Sequence, residues 1–156
     1  MNWLRGTWKI KRKVTQNNNG NLIGYVELGT AIFSTCSESI QLENLNCRPL
    51  HYLEKGTFVQ QDTGKGFLFK REYLYVFSSE NVADVLFYEP DTNNHLKFFH
   101  RLNFDKKVIT AKHLCINDLY ETKVQVKNEK GFETAWKVTG PNKNYSIHTL
   151  YDKKST

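Results

Sequence analysis

The stretch Phe67-Leu68-Phe69-Lys70-Arg71-Glu72-Tyr73-Leu74-Tyr75-Val76-Phe77 decides the fold. Taken every second residue, one face reads Phe67, Phe69, Arg71, Tyr73, Tyr75, Phe77. A β-strand sends alternate side chains to the same side, so this segment reads as a strand whose aromatic wall carries a guanidinium in its middle. A charge on a face meant for the interior is costly unless it is paired or kept wet. Such a face suits the lining of a polar-tipped pocket better than a plain core.

Working outward, similar alternating segments recur along the chain between turn-rich stretches. These include Asn17-Asn18-Asn19-Gly20-Asn21, Asp62-Thr63-Gly64-Lys65-Gly66, Glu89-Pro90-Asp91-Thr92-Asn93 and Gly140-Pro141-Asn142-Lys143-Asn144. Asn, Asp, Gly and Pro tolerate or preset the backbone angles of tight turns. Short strands joined by such turns pair with their neighbours in order. The expectation is an all-β fold, a closed antiparallel up-and-down barrel of about eight to ten strands. Thr35 to Arg48 is the least regular region. Residues 37–45 read either as a short helix, which Ser37 or Ser39 could cap, or as an excursion between strands near one mouth. No linker, composition break or repeat divides the 156 residues, so residues 1–156 are expected to form a single domain.

The formal charge of +6 leaves nucleic acid and anionic membranes open as partners, but the basic residues are spread along the chain. The densest run, Lys9-Ile10-Lys11-Arg12-Lys13, alternates with apolar positions as the solvated face of a strand does. Aromatic residues fall on the expected inside, where bases could not stack on them, so no nucleic-acid partner is expected. Three cysteines, Cys36, Cys47 and Cys115, form no CxxC pair and leave an odd count, which favours a reducing compartment. The N-terminal residues contain no apolar run resembling a signal segment, and no later stretch is apolar enough to span a bilayer. A cytoplasmic protein with no membrane partner is the expectation.

Parity assigns the inner faces. With Lys9, Lys11 and Lys13 outward, Trp8, Ile10, Arg12 and Val14 turn inward. Leu50, Tyr52, Glu54 and Gly56 share a face, as do Ala83, Val85 and Phe87, and Leu96, Phe98, His100 and Leu102. Further on, Ile109, Ala111, His113 and Cys115 are read as inward, then Tyr120, Val124 and Val126, then Phe132, Trp136 and Val138, and finally Tyr145, Ile147 and Tyr151. The expected interior therefore holds Arg12, Arg71, Glu54, His100, His113 and several tyrosines. Two arginines face one glutamate. If Glu54 neutralises one of them, the other calls for an anion, and a ligand carboxylate or phosphate would serve bidentately. The alternative is a closed structural network of both arginines, Glu54 and tyrosine hydroxyls.

These residues also carry a resemblance. Gly6-Thr7-Trp8, at the start of the first strand, resembles the G-x-W signature of lipocalins and the wider calycin group. A longer series follows in order: Trp8-x-x-x-Arg12, Gly29-x-Ala31-x-Phe33, Tyr52-x-Glu54-x-Gly56, Arg71-x-Tyr73-x-Tyr75, His113-x-Cys115-x-x-Asp118-x-Tyr120, Trp136-x-Val138-x-Gly140-Pro141-x-Lys143-x-Tyr145 and Thr149-x-Tyr151. Together they resemble a family of small calycin-like domains of unknown function over nearly the whole chain. The resemblance implies the barrel and no activity. Lipocalins commonly pack an arginine over the first-strand tryptophan, and here Lys153 stands at the corresponding place.

The leading functional expectation is an intracellular small-molecule-binding protein for an acidic or amphiphilic apolar ligand. Its candidate contacts are Arg12, Glu54, Arg71, Tyr73, Tyr75, His100, His113, Tyr120 and Trp136, with Phe67, Phe69 and Phe98 as further apolar walls. The second class is a small barrel enzyme of isomerase, cyclase or lyase type, using His100, His113, Glu54 or Asp118 for acid–base work. A metal or haem on His100, His113 and Cys115 is the third class. Their spacing on strands is unlike a structural zinc loop, so no cofactor or metal is expected, and Cys115 reads as a small buried hydrophobe.

Overall fold

The computed structural model describes residues 3–36, 40–42, 45–47, 49–88 and 97–155. Its strands are β1 (Gly6–Gln16), β2 (Leu22–Thr35), β3 (Ile40–Leu42), β4 (Leu45–Cys47), β5 (Leu50–Gln60), β6 (Gly66–Phe77), β7 (Val82–Phe87), β8 (Lys97–Asn103), β9 (Val108–Cys115), β10 (Asp118–Asn128), β11 (Gly131–Gly140) and β12 (Lys143–Lys153). Ten of them form one antiparallel sheet in the order β8-β7-β6-β5-β2-β1-β12-β11-β10-β9. The β1–β12 ladder, from Trp8↔Lys153 to Gln16↔Tyr145, joins the two ends of the meander into a barrel.

Two sequence expectations are corrected. The described residues contain no helix: of the two readings of residues 37–45, the short helix gives way to an excursion between strands, the β3–β4 hairpin, with Ile40 opposite Cys47 and Leu42 opposite Leu45. Residues 37–39, 43 and 44 lie outside the described residues. The alternation Ile40-Gln41-Leu42 and Leu45-Asn46-Cys47 already has the period of two that a strand needs. The barrel itself matches the expected closed up-and-down form, nearly closed in that β8 and β9 share no ladder among the described residues. Packing bridges that seam, with the rings of Phe99 and His113 at 5.1 Å.

The second correction concerns parity in β8. Val85 pairs with His100 but Leu86 pairs with Phe98, which leaves Phe99 as an extra residue. Such a bulge resets the alternation of inward and outward side chains. Phe98 is therefore 53% exposed, and Phe99 and His100, though consecutive, are both buried. Leu96 falls outside the described residues.

One end of the barrel is filled. Trp8 is wholly buried, donates from Nε1 to the Leu4 carbonyl at 2.8 Å, and meets Trp3 and Phe132 edge-on at 6.2 and 5.0 Å. Lys153 takes the place the resemblance gives to arginine: its Nζ stands 5.3 Å from the Trp8 ring centroid and donates to the Trp3 carbonyl. Along β1, β2, β5 and β6 close approach needs glycine. A Cβ on Gly29 would stand 2.6 Å from Ile10 Cγ1, and one on Gly56 would stand 2.9 Å from the Phe69 ring. A second, smaller cluster of Leu74, Val76 and Leu86 is buried on the outer face with Cys36 and Tyr88 packed on it. The run Tyr73 to Phe77 is thus covered on both faces, whereas β6 from Gly66 to Arg71 is largely exposed.

Candidate functional site

Above the filled end the barrel encloses a cavity of about 300 Å³. Arg12, Glu54, Arg71, Tyr73, Tyr75, His100, His113, Tyr120 and Trp136 all line it. They come from β1, β5, β6, β8, β9, β10 and β11, and share the cavity because each sits at an inward position of its strand.

Three expected wall residues do not line it. Phe67 is half exposed, because it lies near the start of β6 beyond the ladder that β7 makes. Phe98 is turned out by the β8 bulge, and Phe69 instead lies under Arg12, whose guanidinium carbon is 5.7 Å from the ring centroid. Phe87 and Phe99 form the wall in their place. Cys115, read as a buried hydrophobe, is exposed, since it ends β9 at the open side of the barrel. Parity also offered three threonines that the sequence reading passed over. Thr122 and Thr134 line the cavity, and Thr149 is buried beside it. Each lies between two residues of an inward series and could have been found from that position.

Arg12 and Glu54 form the polar centre. Arg12 Nη1 donates to Glu54 Oε1 at 2.6 Å, Nη2 to Oε2 at 2.9 Å, and Nε to Thr149 Oγ1 at 2.8 Å. The Tyr52 hydroxyl donates to Glu54 Oε2 and lies 3.1 Å from the Tyr151 hydroxyl. Burial opposes ionisation of Glu54, but the charge and hydrogen bonds of Arg12 and the Tyr52 hydroxyl hold its carboxyl below the usual range. Burial, reinforced by Tyr151 and Glu54, pushes the Tyr52 hydroxyl well up, which keeps it a donor. This pair is a closed bidentate unit.

Arg71 is different. It lines the cavity, is exposed, and makes no hydrogen bond or ion pair among the described residues. The β6–β7 ladder ends at Tyr73↔Phe87, so Arg71 stands past it, at the open side rather than in the middle of a covered wall. Also on that side, Lys143 bonds Asp118 at 2.7 Å and donates to the Tyr120 hydroxyl at 2.8 Å. Asp118 is thus engaged by a lysine, and a Cβ on Gly140 would collide with its carboxylate at 2.0 Å.

Deeper in, His100 packs edge-on against Phe99 at 4.4 Å and Trp136 at 5.2 Å. Burial, with a smaller effect from His113, lowers its pKa to about 4, so the ring is neutral near pH 7. Among the described residues no group of three His, Cys, Asp or Glu converges to hold a metal ion.

A family model matches residues 4–153, nearly the entire chain. The chain belongs to DUF6314, a family of unknown function. Among solved structures it is similar to the S-type phycobiliprotein lyase CPES from Guillardia theta, with a TM-score of 0.69 and 9% identity over 99% of this chain and 90% of that one. It also matches EF1p2_mFAP2b bound to DFHBI, with a TM-score of 0.45 and 9% identity over 97% of this chain and 94% of that one. No curated protein matches it in sequence. The fold is calycin-like, as the Gly6-Thr7-Trp8 and longer patterns implied.

Two outcomes are expected from urea unfolding. At pH 7, Glu54→Gln strands the buried Arg12 charge and costs about 3–5 kcal/mol, whereas Arg12→Met combined with Glu54→Leu costs less than Glu54→Gln alone; a double variant weaker than the single contradicts the pairing. As for pH, the folded chain resists protonating His100, so stability falls as pH drops from about 6.5 towards 4. His100→Leu should flatten that slope, and an unchanged slope would show that His100 is not buried as neutral imidazole.

Proposed function

We propose that this barrel holds a small, mostly apolar molecule by an anionic head group, with Arg71 as its anchor. The observation that carries this reading is the charge imbalance of the cavity. Glu54, bonded to Arg12, is the one carboxylate against two arginines among the described lining residues, and Arg71, across the ladder from Glu54, faces the same space with no ion pair of its own. A guanidinium offers parallel N–H donors that match a carboxylate or phosphate. Tyr73, Phe87, Phe99 and Trp136 favour an apolar body, and the volume lies at the lower end of ligand pockets, which suits a small acid or amphiphile. Tyr120 supplies a hydroxyl beside the opening.

Acid–base turnover by His100 is disfavoured, because a pKa near 4 is far from the value of a base poised at neutral pH. Cys36 and Cys115 are free thiols, which supports a reducing, cytoplasmic setting.

The test is fluorescence titration of the full chain with 1-anilinonaphthalene-8-sulfonate and its displacement by simple carboxylic acids. Saturable binding at one site per chain is expected. Arg71→Leu should weaken it by about 1.5–3 kcal/mol, roughly tenfold to hundredfold, with an unchanged circular dichroism spectrum. Lys70→Leu removes the same charge from the neighbouring outward position and should have little effect. Equal losses in the two variants would reduce the anchor to bulk charge and overturn the reading.

A further inference from the structure

Among the described residues, two buried polar atoms of cavity-lining side chains have no partner: Nδ1 of His100 and Oγ1 of Thr122. Their residues are only 5% and 4% exposed. A buried polar group without a hydrogen bond is destabilising, and native proteins keep few of them. Around them the other buried polar groups are engaged: Arg12 with Glu54 and Thr149, and Tyr52 with Glu54 and Tyr151. The two unpartnered atoms therefore stand out from the buried Arg12, Glu54, Thr149, Tyr52 and Tyr151 groups, which are matched among themselves.

Their position is specific. Thr122 is the cross-strand neighbour of Trp136, and the Trp136 ring is 5.2 Å from the His100 ring, so both residues flank one indole. His100 pairs with Val85, which pairs with Tyr75. Tyr75 lies four residues along β6 from Arg71, roughly 13 Å at the rise of a strand. The residues of the unpartnered atoms and the anchoring arginine thus stand apart on the barrel wall. Flat rings line the same cavity: Tyr73 and Phe99 stack at 14° and 5.7 Å, and Phe99 and Trp136 at 4° and 5.2 Å.

We infer that the ligand is a flat aromatic acid with a second polar group, a hydroxyl, at the end remote from its carboxylate, bound by His100 and Thr122. This rests on the reading of Arg71 as the anion anchor. A neutral imidazole has one donor and one acceptor nitrogen, and a threonine hydroxyl does either, so together they can satisfy both capacities of a ligand hydroxyl. The parallel rings favour a planar body over a flexible alkyl chain, through offset stacking. A purely apolar tail would leave both buried atoms unpaired, which is how a polar site rejects an analogue lacking the matching group.

The test is calorimetric titration of the full chain with matched pairs of acids: biphenyl-4-carboxylic acid against 4′-hydroxybiphenyl-4-carboxylic acid, and 2-naphthoic acid against 6-hydroxy-2-naphthoic acid. In at least one pair the hydroxylated member should bind tenfold or more tightly than its parent. Thr122→Val, which preserves shape, and His100→Leu should each reduce that preference to within about threefold while leaving the parent acid's affinity in place. If both members of each pair bind alike, and Arg71→Leu weakens both, the remote hydroxyl site is wrong and the anion anchor stands. If a preference survives in Thr122→Val and in His100→Leu, these residues do not read the hydroxyl and the assignment fails. If none of the four acids binds, or Arg71→Leu changes nothing, the anchor reading and the inference fall together.

Discussion

The ion pair between Arg12 and Glu54 is the constraint on which the inside of this barrel depends. It places two charges among aromatic rings, where each alone would be costly. The bidentate geometry and the added bonds from Thr149 and Tyr52 satisfy them. Because β1 and β5 are separated by β2 in the sheet, the pair reaches across the strand between them and ties side chains rather than backbones. Once it forms, the lumen has a fixed polar centre, and Arg71 lines the same space outside that pair.

The cavity survives because its two ends are built differently. Near Trp8 the rings of Trp3 and Phe132 fill the space, under the ammonium of Lys153. On the other side, β7 stops short of Arg71 and β9 ends at the exposed Cys115. The unpaired seam between β8 and β9 adds a wall held by rings rather than by a ladder, with Phe99 and His113 in contact across it. The bulge that turns Phe99 inward supplies this packing and also carries His100 to the cavity.

Much of the architecture was legible because charge fell cleanly on one face. Lys9, Lys11 and Lys13 fixed the orientation of β1, and hence of Arg12, from alternation alone. The same logic failed where periodicity changes without a local signal. Phe98 and Phe99 are both phenylalanine, so nothing in the sequence marks which one faces the core, and only the ladder with β7 decides it. The β3–β4 hairpin was missed because its strands are three residues each, too short to separate from a helical turn. Arg71 was placed on the right face but at the wrong depth, because the length of β7 beside it cannot be read from β6. Thr122 was passed over because threonine suits either face of a strand, and its lack of a partner is visible only in three dimensions.

The most direct test of the account is to follow the two arginine side chains separately. Proton–nitrogen NMR of the guanidinium Nε–H groups, recorded while 6-hydroxy-2-naphthoic acid is titrated into the full chain, reports each in turn. The Arg12 signal should be protected from exchange throughout and stay in place, held by Thr149 and Glu54, while the Arg71 signal shifts and gains protection as the acid binds. An Arg12 signal that moves with the acid while Arg71 stays still would contradict it.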